Sequence, residues 1–306
     1  MIHPRTALRG VPRRTWVRWR FAYLVLLPTL VLFTYLRVFP TAWAFVMSFF
    51  EWGLVKPAEK FVGFDNYTTL LSDKNFTTAL LNTTIFAFAT TIFSVVLAIA
   101  LAAVLARVVR GRTGAALELL YFAPVLVPMV PVTLGWREIF NYNHGVLNAF
   151  LGVFGITRVP WLSDPNMALV AVIILSVWKQ VGYNMIILIV GMRAIPRVYD
   201  EAAAVDGANA WQRFRHVTMP LLAPVTLFVI VITTIASYNV FTQVYVLASD
   251  VQGAPGRLVP VIVYDLFQNG FRFFKMGYAS AEAVYLFLII LVLTLIQFRF
   301  LRGART

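Results

Sequence analysis

Six long apolar runs, at about 21–50, 79–106, 115–136, 166–192, 219–247 and 277–301, decide what this chain can fold into. A helix of about 20 residues rising about 1.5 Å per residue spans the roughly 30 Å hydrocarbon core of a bilayer, and each run reaches that length. With 306 residues, 60% of them hydrophobic and only 13% charged, the chain carries more apolar surface than a soluble fold of this size can hide. The fold class implied is an all-α polytopic membrane protein with six transmembrane helices. A disordered chain, a disulfide scaffold and an ordinary soluble enzyme are excluded. There is no cysteine, and His3, His144 and His216 are too scattered to form a metal site.

Charge orients the bundle. One set of helix ends carries Arg5, Arg9, Arg13, Arg14, Arg18, Arg20, Arg107, Arg110, Arg112, Arg193, Arg197, Arg213, Arg215, Arg299, Arg302 and Arg305, twice the basic residues of the opposite loops. The positive-inside rule then places both termini, the 107–114 loop and the 193–218 loop in the cytoplasm. Residues 1–20 form an Arg-rich cytoplasmic N-terminus, and 21–306 form the transmembrane domain. The first run is longer than the apolar core of a signal peptide and is expected to remain as an uncleaved span. No folded basic domain exists to hold nucleic acid. An outer-loop stretch, Gly145 to Phe154, is expected to form a short interfacial helix.

The 193–218 loop is unlike the others. Pro196 suits a first helical turn, Asp200 and Glu201 lie toward the N-terminal end of that helix, and Gly207 can take positive φ and stop it. A second helix is expected from Ala210 to Val217, broken by Pro220. Glu201-Ala202-Ala203 followed by Asp206-Gly207-Ala208, Phe214 and Pro220 resembles the EAA loop of bacterial ABC importer permeases of the maltose and glycerol-phosphate type. The likeness extends over nearly the whole chain. It takes in Phe39-Pro40, Ser48-Phe49, Val62-Gly63-Phe64-Asp65-Asn66-Tyr67, Asn82-Thr83, Trp178-Lys179 and Gly277-Tyr278-Ala279-Ser280-Ala281.

The resemblance implies the type I importer permease fold and a non-catalytic translocation subunit of a carbohydrate-type importer in the inner membrane. The loop would dock on a cytosolic ATPase, with Glu201 facing basic groups, Ala202 and Ala203 packing closely, and Gly207, beside Asp206, making the turn. The implied partners are a homologous second permease, two ATPase subunits carrying ATP and Mg, an extracytoplasmic solute-binding protein and lipid. No lysine of the chain follows a glycine, so no Walker A loop is present and no cofactor is expected here. A secondary transporter, a channel or a membrane enzyme would not require the loop.

Polar groups inside the spans mark candidate solute contacts, because each is costly in lipid. Ser176, Lys179, Gln180, Tyr183 and Asn184 share an arc of about 140° on the fourth run. Such a face offers a cation, two amides and a ring to a hydroxylated, even anionic, solute; the alternative is that these groups bridge helices. In the fifth run Ser237, Tyr238, Asn239, Thr242 and Gln243 are further candidates, with Asn239 and Gln243, at i,i+4, roughly opposite Ser237. The family often carries an acid at the position of Thr242, and a Thr-x-Gly-Gly-Pro loop where this chain has Ala248-Ser249-Asp250 and Gln252-Gly253-Ala254-Pro255. Glu282, near the outer end of the last run, is open to a proton-relay or substrate role, to interfacial hydration or to an interhelical hydrogen bond.

Overall fold

A computed structural model describes residues 13–53, 60–107, 111–247 and 258–302. Arg5, Arg9, Arg110, Arg305 and the 248–257 departure from the family pattern lie outside them. The first span joins α1 (Arg13–Phe33), a π-helical turn (Thr34–Val38) and α2 (Phe39–Met47). A short antiparallel pair, β1 (Phe50–Glu51) with β2 (Lys60–Phe61), precedes α3 (Asp65–Ser72). Then come α4 (Lys74–Arg107), α5 (Gly111–Leu126), α6 (Met129–Ile139), α7 (Val146–Val153) and α8 (Pro165–Arg193). The remaining helices are α9 (Arg197–Val205), α10 (Ala210–Arg213), α11 (Met219–Tyr238), α12 (Thr242–Leu247), α13 (Ile262–Phe267) and α14 (Met276–Arg302). π-helical turns separate α10 from α11 (Phe214–Thr218) and follow α13 (Gln268–Arg272).

Five continuous spans emerge, Trp19–Met47, Lys74–Ala106, Pro165–Arg193, Ala210–Tyr238 and Met276–Arg299. The sixth expected span is not a straight helix. The apolar run at 115–136, expected to be one helix, divides into α5 and α6 at an angle of 99°. Pro128 stands at the break with extended backbone (φ −57°, ψ 149°), lacking the N–H that would continue the helix. The run at 219–247 is also shorter than expected. Its helix ends at Tyr238, where the Asn239 side-chain amide donates to the Ile235 carbonyl at 2.7 Å and substitutes for the next turn. Asn239 and Gln243 therefore stand on either side of a break, and helical phase cannot be carried from one to the other.

Pro220 was expected to stop a helix and does not. Residues Phe214–Thr218 adopt a π-turn, in which the Met219 N–H bonds the Phe214 carbonyl, and α10 passes into α11 without interruption. The wider turn leaves room for the proline ring. Pro40 follows the Thr34–Val38 π-turn in the same way.

The core forms where α4, α8 and α11 meet. Ala98, Ala102, Met185, Leu188, Ile189, Leu222 and Val229 are buried there. Lipid tails are as apolar as leucine, so small residues and interhelical hydrogen bonds hold such a seam. Gln297 of α14 donates to Thr234 of α11 at 3.1 Å. Gly277 lets α14 approach the first outer segment: its N–H bonds the Trp52 carbonyl at 3.0 Å, and a side chain there would strike the Phe50 carbonyl oxygen. The first span differs. Its described side chains are exposed until Ala44, and only Met47 is buried at its end. The short helix expected near Gly145 is α7, held by Asn148, whose amide oxygen accepts from Val159 N (3.1 Å) and Trp161 Nε1 (3.0 Å).

Candidate coupling loop and solute path

The 193–218 loop is a rigid helix–turn–helix built from local signals. Pro196 caps α9 in extended conformation, and nine helical residues follow. Gly207 closes the helix at φ +83°, with its N–H on the Ala204 carbonyl (3.1 Å) and the Ala208 N–H on the Ala203 carbonyl (2.9 Å). That paired pattern is the Schellman motif, which favours glycine because other residues are strained at positive φ. Asn209 and Gln212 then form a reciprocal capping box, with bonds of 2.8 and 2.9 Å, that starts α10.

Glu201, Ala202, Asp206 and Gly207 are exposed and Ala203 is half-buried. Val205, an apolar side chain beside the turn, is 88% exposed. Two ion pairs brace the loop. Arg213 Nε approaches Asp200 Oδ1 at 3.6 Å, joining α10 to α9. Arg193, at the end of α8, meets Glu118 of α5 at 2.5 Å. Glu118 was not singled out in the sequence, although an acid inside an apolar run is a signal in itself. A cleft of about 1280 Å³, lined by Val104, Glu118, Arg193, Glu201 and Phe214 among others, separates the loop from α4 and α5.

The α8 arc divides into two groups. Asn184 is fully buried: its Nδ2 donates to Ser94 Oγ of α4 (3.4 Å), and its Oδ1 accepts from Thr233 Oγ1 of α11 (3.2 Å). Ser176, also buried, accepts from Gln243 Nε2 of α12 at 3.5 Å. Both bridge helices, the alternative left open by the sequence. Ser94, which the sequence reading passed over, completes this buried set.

Lys179 has a different task. Its Nζ donates to the carbonyls of Pro124 and Val127, at 2.8 Å each, on the last residues before the Pro128 break. Those carbonyls belong to a helix end inside an apolar segment, where unmet backbone groups are costly. Gln180 is half-buried, and Tyr183 is 41% exposed. Of the fifth-run candidates, Ser237 and Tyr238 are buried, Thr242 and Gln243 are half-buried, and Asn239 is exposed. The arrangement thus separates the candidates into bundle contacts, Gln243 among them, and an accessible group of Gln180, Tyr183, Asn239 and Thr242. Among the described residues, no cluster of three or more His, Asp or Glu is placed to hold a metal.

Comparison with known proteins agrees with this architecture. Residues 94–306 match the family model described as the binding-protein-dependent transport system inner membrane component. The chain is 33% identical over 287 residues to the probable ABC transporter permease protein YurN of Bacillus subtilis, covering 92% of this chain and 96% of that one. It is 33% identical over 278 residues to the sn-glycerol-3-phosphate transport system permease protein UgpA of Agrobacterium fabrum, covering 91% and 93%. The crystal structure of a bacterial ABC transporter involved in the import of the acidic polysaccharide alginate has the same fold, with a TM-score of 0.81 at 24% identity over 95% of this chain and 99% of that one. The chain belongs to the binding-protein-dependent inner membrane component family and is a multi-pass, non-catalytic permease subunit of a bacterial ABC importer, moving an external solute in concert with an ATPase partner.

Proposed function

We propose that this subunit imports a hydroxylated solute of the sugar or glycerol-phosphate class across the bacterial cytoplasmic membrane, and that α9 is the element through which ATP hydrolysis drives it. The observation that carries the reading is the exposed α9: Glu201 and Ala202 face outward, Val205 is open beside the turn, and the Schellman closure at Gly207 makes the whole loop stiff. A helix closed by the Schellman turn and tied to α10 by Asp200 and Arg213 transmits a push from a nucleotide-bound partner as a rigid-body movement. The excess of arginine at this end of the bundle supports its placement in the cytoplasm together with both termini.

The proposed assembly has a homologous second permease, two ATPase subunits binding ATP and Mg, and an extracytoplasmic solute-binding protein. Each permease contributes half of the path. In this half the accessible residues Gln180, Tyr183, Asn239 and Thr242 supply amide and hydroxyl groups and a ring face suited to a polyol. The relatives named for glycerol phosphate and alginate support that solute class.

The test uses the reconstituted importer. Glu201→Lys sets a cation against basic groups of the ATPase, and Gly207→Val forces a β-branched residue into positive φ at a cost of about 1–2 kcal/mol. Either change is expected to lower solute-stimulated ATP hydrolysis about tenfold, equivalent to about 1.4 kcal/mol of coupling, while membrane insertion is unaffected. Wild-type stimulation in both variants would remove α9 from the coupling role. Uptake of a neutral oligosaccharide and of a glycerol phosphodiester, measured side by side, decides the solute class.

A further inference from the structure

At the end of the bundle opposite the 193–218 loop, three acids lie between the outer helices and the last span. Asp73 links α3 to α4, and its carboxylate accepts from the Asn75 N–H and from the Tyr278 hydroxyl, at 2.8 Å each. It is fully engaged. The other two are not. Glu282, on the second turn of α14, has no exposed surface; its Oε1 accepts from Asn269 Nδ2 at 2.7 Å, but its buried Oε2 has no N–H donor. Asp265, on α13, likewise has a buried Oδ2 without an N–H donor. Both unbonded oxygens are buried where α13 packs against α14, and the charge of each carboxyl acts on the other.

A hydrogen bond between two carboxyl groups needs a proton. If both were ionised, two negative oxygens would face each other away from water, with the charge of Asp73 nearby adding to the repulsion. Tyr278 donates to Asp73, Gln268 is bonded to the Tyr264 hydroxyl, and on the α4 side Thr83 accepts from the Ile262 N–H while Asn82 donates to the Pro260 carbonyl. We propose that Asp265 and Glu282 share one proton at neutral pH, and that this proton fastens α13 and its following π-turn to the last span.

The consequence is a tie with a definite pH sense. Burial, reinforced by the Asp73 charge, pushes the Asp265 carboxyl up to about 6. A carboxyl raised on folding contributes its stabilisation below the ordinary aspartate range and loses it as pH rises through the folded value. Above about 6 the pair is left with a single proton, which departs only against the charge that the first left behind. Alkaline conditions therefore release α13 from α14, whereas mild acid strengthens the junction.

Infrared spectroscopy of the assembled transporter in lipid tests this. The wild type at about pH 7.5 is expected to show one buried protonated-carboxyl stretch that disappears reversibly on alkalinisation. Asp265→Asn and Glu282→Gln should each remove it, because the acid left behind then faces amide donors and ionises. A wild-type spectrum with no such band at about pH 7.5 would overturn the proposal, and it requires no variant. Persistence of the band in either variant would also overturn it, since the proton would then belong to one acid alone. If one variant fails to assemble, the other carries the same comparison.

Discussion

Replacing Gly182 by alanine is expected to destabilise the permease severely in detergent. Gly182 lies at the middle of α8, where the Tyr121 carbonyl of α5 rests directly on its α-carbon, and an added methyl group would fall inside the radius of that oxygen. The obstacle is backbone, not the end of a flexible side chain, so only separation of the two helices relieves it. Separation would draw the Pro124 and Val127 carbonyls away from Lys179, three residues along the same face. Overpacking alone costs about 1–3 kcal/mol, and the lost hydrogen bonds add to it. Gly135→Ala is the control, because nothing stands within 4 Å of its added methyl. In an exposed helical position alanine is better than glycine by about 1 kcal/mol. Size-exclusion profiles after graded heating should show Gly182→Ala lost at temperatures that Gly135→Ala survives. Equal survival would mean that the α5–α8 contact is looser than the structure has it.

The two glycines explain which features could be read from sequence. Gly207 was legible because everything that fixes it is local: Pro196 begins the helix, Ala203 and Ala204 supply the carbonyls for its closure, and Asn209 with Gln212 starts the next. Gly182 was not, because its partner Tyr121 is distant in sequence. The apolar runs revealed the all-α membrane class for a similar reason, since hydropathy is a property of the segment itself. Prolines were ambiguous. Pro28, Pro124 and Pro224 sit inside helices and Pro220 follows a π-turn, yet Pro128 ends one. What separates them is which groups meet the freed carbonyls, and at Pro128 that group is Lys179 from another helix. Asn184 had the same difficulty: helical phase placed it on an arc, but only the positions of Ser94 and Thr233 show that the arc turns inward there.

Lys179 offers the second large effect, and its variants distinguish support from recognition. In Lys179→Met the side chain keeps its length and loses its donors, so the Pro124 and Val127 carbonyls are left unmet at a helix end within an apolar segment. Each orphaned carbonyl costs about 1–3 kcal/mol, and together they exceed what most surface substitutions remove. The broken span should then shift at its 99° bend, carrying α6 away from α12. Uptake of an anionic and of a neutral solute is therefore expected to fall alike, together with thermal stability. Lys179→Arg should restore much of both, because a guanidinium also donates to two carbonyls and retains the charge. A solute-binding lysine would behave differently. Its methionine variant would keep wild-type stability and lose only the anionic solute, and that outcome would show that the ammonium leaves the carbonyls to meet its cargo. Tyr183→Ala supplies the contrast, since this ring is 41% exposed and its removal opens no helix end. Transport by that variant should weaken while the melting temperature holds. A stability loss on Lys179→Met with none on Tyr183→Ala would assign the two neighbours, four residues apart on one helix, to the frame and to the path respectively.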